Sequence, residues 1–173
     1  MEILVYRHCE ILSDDSVERT DAQTEYWRPS IARLTPVGKR RKYVAYSVFH
    51  WLRIFRNRDY GELSVTKGDK RKASMLVVPA YFKWPFMREN DVQFTYVVTD
   101  PFSRQEGWGT YLVQQGLKRF LQQDRQIWYV TDTNNVASQR LAEKAGFSLV
   151  GKARPRTSRF RRVRLITTNE PSN

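Results

Sequence analysis

The chain has 173 residues, of which 40 % are hydrophobic and 13 % aromatic, and it carries a formal net charge of +12. That length suits one domain, and that apolar content is enough for a core, which excludes disorder of the whole chain. A single cysteine, Cys9, excludes an internal disulfide and a cysteine metal cluster, and the longest strongly apolar run, Met75–Phe82, is far short of the roughly 20 residues a membrane helix needs.

Met1–Ile11 has the composition of a strand. Leu12–Arg28 is polar and acidic, and Ser13-Asp14-Asp15 reads as the capped start of a helix. The basic run Lys39-Arg40-Arg41-Lys42 leads into Tyr43–Arg56, where Val44, Val48, Trp51, Leu52 and Phe55 recur at helical spacing. Glu62–Thr66 and Ser74–Tyr81 flank Gly68-Asp69 and predict a hairpin, and Val92–Thr99 predicts a further strand. After Asp100-Pro101 the period changes. Val113, Leu117, Phe120 and Leu121 form the apolar stripe of a helix over Thr110–Gln122. Ile127–Thr131 is a short strand. Val136–Ala145 is a second helix, with Ala137, Leu141 and Ala145 on one face and Gly146 as its C-cap. Phe147–Val150 and Phe160–Thr167 close the chain as strands. The unit from Val92 to Thr131 is therefore a parallel strand–helix–strand crossover.

The most informative stretch runs from Thr99 to Thr110. Gly107 and Gly109 remove side chains where the backbone enters a helix, leaving N–H groups at the positive end of its dipole. Such a site suits a diphosphate. The P-loop pattern is absent. The dinucleotide fingerprint needs a third glycine where Leu112 stands. What remains is Arg104-x-x-Gly107-x-Gly109, preceded by Pro101 in a Pro-x-x-Arg pattern. One helix, one turn and one strand later comes Asn135-x-x-Ser138-x-x-Leu141-Ala142-x-x-x-Gly146-Phe147.

These two motifs, at this separation, resemble the cofactor motifs of the GNAT acetyltransferases, and they cover Val92–Phe147. The resemblance implies an α/β fold filling residues 1–173 as one domain, with the cofactor half at 91–150. Its sheet is mixed, mostly antiparallel, six- to seven-stranded, splayed in the middle and flanked by helices. It implies acetyl transfer from acetyl-CoA to a primary amine by direct attack. Arg104, Gln105, Glu106, Gly107, Trp108, Gly109 and Thr110 are then expected to hold the CoA diphosphate, mainly by backbone N–H. Val97, Val98 and Thr99 are expected to pair their backbone with the pantetheine arm. One N–H there would stabilise the oxyanion. Asn135, with Ser138 beside it in the motif, is expected at the pantetheine or acetyl end. Asp91 and Gln93, on the strand leading into the motif, are candidates for contacting the acceptor.

Two positions depart from the family pattern. Ala142 stands where relatives carry a tyrosine that protonates the thiolate. Gln93 stands where some relatives carry a glutamate base. Asp91 shares its strand face but lies about 20 Å from Val97, at about 3.3 Å per residue. Positioning and water can still carry an amine onto a thioester. A fainter resemblance, through Trp84-Pro85-Phe86-Met87, Asp91 and Thr99-Asp100-Pro101, is to GNAT proteins of bacterial surface-polysaccharide loci, and it implies an amino-sugar or nucleotide-amino-sugar acceptor.

The remaining features bear on partners. His8 and His50 are not spaced as metal ligands, so no metal is expected, and His50 beside Trp51 reads as structural. Lys144–Asn169 holds no Asp or Glu. That segment reads either as a charged edge hairpin or as a surface for anions. Tyr81, Phe82, Trp84 and Phe86 suit core packing better than stacking on a ligand. The expected partner is a small-molecule or anionic amine. Nucleic acid is less favoured, no membrane is expected, and the protein is a monomer or homodimer. Glu2 after Met1, and Arg7 and His8 breaking the first apolar stretch, argue against a secretory signal and for the cytoplasm. Two rival readings stay open: a non-catalytic CoA-, nucleotide- or nucleic-acid-binding module on the same fold, and acetylation of a protein, tRNA or ribosomal amine.

Overall fold

The computed structural model describes residues 2–8, 19–30, 44–55, 57–80, 86–155 and 163–167. Their strands are β1 (Ile3–His8), β2 (Ala22–Trp27), β3 (Gly61–Lys67), β4 (Lys70–Pro79), β5 (Val92–Thr99), β6 (Ile127–Asp132), β7 (Ser148–Pro155) and β8 (Val163–Thr167). The helices are α1 (Val44–Trp51), α2 (Trp108–Phe120) and α3 (Val136–Lys144), with a 3-10 turn at Pro101–Ser103. All eight strands form one mixed sheet in the order β2-β3-β4-β5-β6-β1-β7-β8. Only β5 and β6 run parallel, joined through α2 as the change of period predicts.

The eighth strand is β2, which sequence reading placed inside a helical segment. Residues 12–18 lie outside the described residues, but Ala22–Trp27 is an edge strand paired with β3. Its burial runs from half-buried Ala22 through three exposed residues to half-buried Tyr26 and buried Trp27. Solvent on the edge lets Gln23, Thr24 and Glu25 be polar, so the alternation that identifies a strand is missing. Tyr26 anchors the edge by an edge-on contact with Phe120 of α2, ring centroids 5.1 Å apart.

The hairpin forms as expected, with Gly68 at φ 54° in the turn between β3 and β4. α1 forms too, but Val48, Trp51 and Leu52 are exposed, so its apolar residues do not all face the core. The side chain of His50 and those of β8 are outside the described set, as are Tyr81, Phe82 and Trp84. Phe86 packs on Trp128 at 4.9 Å. Among the described residues no helix is long and apolar enough to cross a membrane, and no cluster of His, Cys, Asp or Glu could hold a metal.

Alternation along each strand sorts the core into two layers. Leu63, Met75, Val77, Val92, Phe94, Tyr129 and Tyr6 meet α2 and α3 on one face. Ile3, Val5, Trp128 and Ala153 form a cluster on the other. β1 is buried on both faces, as its position between β6 and β7 requires. The closing strands are therefore one strand removed from β6. α2 approaches the sheet at Gly116, where a Cβ would stand 2.2 Å from Met75 Cε and 2.9 Å from Phe94 Cζ.

The parallel pair is locked at its root. Asp91 is fully buried, and its carboxyl oxygens accept from the backbone N–H of Arg88 (2.8 Å), the backbone N–H of Gln126 (3.0 Å) and Trp128 Nε1 (2.9 Å). Beside it the buried Arg125 donates to Asn90 O (2.9 Å) and to Asp59 Oδ2 (2.9 Å). Both oxygens of Asp91, a candidate for contacting the acceptor, are thus engaged by the fold itself. Each buried donor stripped of its partner costs about 1–3 kcal/mol. Asp91→Ala is therefore expected to lower the unfolding free energy by about 3 kcal/mol or more in urea titration. A loss under about 1 kcal/mol would mean the knot relaxes without it.

Candidate functional site

From this root β5 and β6 pair for only three rungs, Val92 with Ile127, Gln93 with Trp128 and Phe94 with Tyr129. β5 continues to Thr99 and β6 to Asp132 without pairing to each other. The far side of β5 stays bound to β4, through Val98 with Ser74 and Thr99 with Ala73. Between Leu76 and Ser74 the register slips against an extra residue of β5, and Tyr96 sits at φ 50°. This is a bulge, and it turns the second half of β5 away from β6. Val97, Val98 and Thr99 therefore present a backbone edge toward the gap with no strand opposite.

The gap opens onto the N-terminus of α2. Gly107 caps that helix at φ 79° with no side-chain hydrogen bond to the first turn. The N–H of Tyr111 bonds Gly107 O at 3.0 Å, whereas those of Trp108, Gly109 and Thr110 precede the first intrahelical bond. Gln105 at φ 66° alternates with Gly107 in left-handed backbone, an arrangement that turns successive N–H groups into an anion-binding concavity. A Cβ on Gly109 would stand 2.7 Å from Leu141 Cδ1 and 3.1 Å from Thr99 Oγ1. Glycine spares α2, α3 and the end of β5 that crowding where they meet.

The resulting cleft has a volume of about 230 Å³. Thr99, Arg104, Gln105, Gly107, Trp108, Gly109 and Thr110, which sequence reading singles out for the cofactor, line it. Trp108 contributes little side-chain surface, because its indole is buried, donates to Glu106 Oε2 (2.7 Å) and lies under Arg19 at 4.1 Å. Glu106 is thereby turned to Trp108 and does not line the cleft. Sequence reading missed Ala137, Arg140, Leu141 and Lys144 of α3. Their spacing puts them on one helix face, and the two cations within an otherwise apolar stripe were the available signal. The lining carries Arg104, Arg140 and Lys144 and no acidic residue.

The motif residues at the start of α3 have other work. Asn135 is its N-cap, accepting from the Ser138 N–H at 3.1 Å. Ser138 Oγ pairs with the Tyr129 hydroxyl at 2.8 Å. Neither Asn135 nor Ser138 lines the cleft. Gly146, at φ 87°, ends the helix, with its N–H on Glu143 O and that of Phe147 on Ala142 O, both 3.0 Å. Phe147 thereby turns into the core against Tyr129, at 5.7 Å. Ala142 is fully buried in that core. Burial holds the Tyr129 phenol above its ordinary range, against the opposing pull of its Ser138 hydrogen bond. Gln93 is 4 % exposed on the face opposite α2, and its Oε1 is buried without a hydrogen-bond partner.

A family model described as an acetyltransferase (GNAT) domain matches residues 6–148. Among solved structures, the fold is similar to a GNAT-family acetyltransferase from Colwellia psychrerythraea, with a TM-score of 0.57 and 15 % identity over 86 % of this chain and 52 % of that one. It is similar also to a GNAT-family protein from Novosphingobium aromaticivorans, with a TM-score of 0.56 and 13 % identity over 87 % of this chain and 61 % of that one. The chain thus spans about half to three-fifths of the length of these structures, and at such identities the likeness is one of fold. A search of curated proteins finds no match. The family match runs from β1 to the first residue of β7 and takes in the splayed strands, the glycine-lined helix start and the capped α3, so the chain belongs to the GNAT acetyltransferase family.

Proposed function

We propose that the protein transfers an acetyl group from acetyl-CoA to a primary amine, with the cofactor's phosphates in the cleft between α2 and α3. The observation that carries this reading is the meeting of the uncapped α2 N-terminus with Arg104, Arg140 and Lys144 at the mouth of the β5/β6 gap. Free N–H groups, a helix dipole and three cations suit a polyanion. The unpaired edge of Thr95–Thr99 suits an extended amide-bearing arm, which would add to β5 as a short strand. That arm would bring the thioester toward the last rung, Phe94 with Tyr129. Val97, Val98 and Thr99 then act through backbone groups.

The amine nitrogen attacks the thioester carbonyl carbon, and the oxyanion is held by a backbone N–H of the bulged β5 segment. Collapse breaks the C–S bond, and the thiolate takes up a proton. We assign that proton to Tyr129. A side chain at position 142 leans toward the helix N-terminus, over the turn that holds Ser138. A tyrosine there would bring its hydroxyl to the Ser138 region, where the Tyr129 hydroxyl already sits. A phenol is protonated at neutral pH, and burial raises the pKa of this one further.

The acid-free segment Lys144–Asn169 supports an anionic acceptor such as a nucleotide amino sugar. The departures at Ala142 and Gln93 favour a second reading, a non-catalytic CoA-binding module. Release of free thiol from acetyl-CoA in an acceptor screen separates the two.

Acetyl-CoA at 100 times its dissociation constant is expected to stabilise the fold by about 2.7 kcal/mol. Gly109→Val, which fills the space against Leu141 and Thr99, is expected to abolish that thermal shift, and Arg140→Ala to weaken binding about tenfold, or about 1.4 kcal/mol. An intact shift in Gly109→Val would place the cofactor elsewhere. Tyr129→Phe should lower kcat about a hundredfold while the acetyl-CoA shift persists. An unchanged kcat would hand the proton to water. Ala142→Tyr should not raise activity. It overpacks a fully buried site and is expected to cost about 1–3 kcal/mol of stability in urea titration.

A further inference from the structure

We infer that Arg19, which does not line the cleft, is a positioning residue that holds the loop Arg104–Gly107 in its anion-binding shape. This inference rests on the cofactor reading above and deepens it. Gln105 at φ 66° and Gly107 at φ 79° both stand in left-handed backbone. A non-glycine residue such as Gln105 stays there only where its surroundings hold it.

The entry to the loop is fixed from β4. Lys72 Nζ donates to Ser103 Oγ at 2.8 Å, Ser103 Oγ donates to Asp100 Oδ2 at 3.2 Å, and the Asp100 N–H bonds Lys72 O at 2.9 Å. Arg19 acts at the exit. Its Nη2 donates to the carbonyl oxygen of Glu106. The same nitrogen stands 3.3 Å from where a Cβ on Gly107 would be. Its guanidinium lies over the Trp108 ring at 4.1 Å and over the Tyr111 ring at 5.8 Å. Trp108 in turn donates through Nε1 to Glu106 Oε2 at 2.7 Å. Guanidinium, Glu106 and indole thus close a ring of contacts around the end of the loop. In a trans peptide the C=O and the following N–H point in opposite directions. With the Glu106 carbonyl drawn to Arg19, the N–H of Gly107 is turned away from it, and Gly107 lines the cleft.

The edge strand β2 delivers Arg19 to this place. The Ala22 N–H bonds Arg19 O at 3.1 Å as the chain turns into the strand. Further along, Tyr26 packs on Phe120 and lies under Arg119 at 4.8 Å. Arg19 to Tyr26 reaches at most about 23 Å, at about 3.3 Å per residue. Trp108 to Phe120 is about 18 Å, at about 1.5 Å per residue. One short segment therefore touches both ends of α2.

Arg19 Nε is buried without a hydrogen-bond partner. An unmatched buried donor offsets part of what the stacking contributes to folding. Loss of Arg19 is therefore expected to show in the loop more than in the fold. A guanidinium stacks its plane on an indole while donating from its edge, which a lysine ammonium cannot do.

The test uses the full chain and two probes, acetyl-CoA and 3′-dephospho-acetyl-CoA, which share the diphosphate and differ in one phosphate. Titration calorimetry gives both dissociation constants at a temperature where circular dichroism shows each variant folded. Arg19→Gln is expected to weaken both probes by the same factor, about tenfold or about 1.4 kcal/mol. Arg19→Lys, which keeps the charge, is expected to lose at least about threefold. The ratio between the two probes should stay at its wild-type value. A ratio that collapses toward one would mean that Arg19 binds the 3′-phosphate itself. Full affinity in Arg19→Lys would reduce the residue to its charge, and full affinity in Arg19→Gln would detach it from the loop. Failure of both variants to fold would make it a residue of the fold alone. Each of these results overturns the inference while wild-type binding of acetyl-CoA stands. If the wild type binds neither probe, the cofactor reading fails and this inference with it.

Discussion

Everything distinctive in this molecule depends on two parallel strands being held at one end and released at the other. Asp91 supplies the hold. With its donors from the β4–β5 connection, the start of β6 and the Trp128 indole, it joins pieces that are distant in sequence into one buried polar knot. Arg125, Asn90 and Asp59 extend it outward, with Arg28 on Asp59 at the surface. A buried carboxyl is tolerable only when its hydrogen-bonding capacity is filled, so the knot is rigid or absent. Rigid at the root, the pair can part beyond three rungs without losing its alignment.

The release is built from local strain. Tyr96 and Gln105 are non-glycine residues at positive φ, and both flank the gap or its mouth. Such conformations cost on the order of 1–3 kcal/mol and persist only where surrounding packing overdetermines them. Here β4 holds the far edge of β5, and α2 is pressed onto the sheet at Gly116. The gap is therefore a preformed feature of the fold.

The chemistry suggested by the cleft is asymmetric. The phosphate end is rich in directed donors, with three cations and a helix start. Where the family resemblance leads one to expect a tyrosine and a glutamate, this chain has Ala142 and Gln93.

Most of the local elements, and several of the residues that line the cleft, are legible in the sequence. Gly107, Gly109 and Gly146 announce a helix start and a helix end through backbone geometry, which only nearby residues govern. The change from two-residue to helical period after Asp100 is equally local. β2 escaped because an edge strand half in water needs no apolar alternation, and Gln23-Thr24-Glu25 accordingly has none. That Asp91 is sealed in a knot, that Asn135 caps a helix, that β1 lies between β6 and β7, and that Arg140 and Lys144 reach the cleft emerges only once the chain is packed. Each of these depends on partners many residues away, and a buried carboxyl and a reactive one are the same letter until the donors around them are in place.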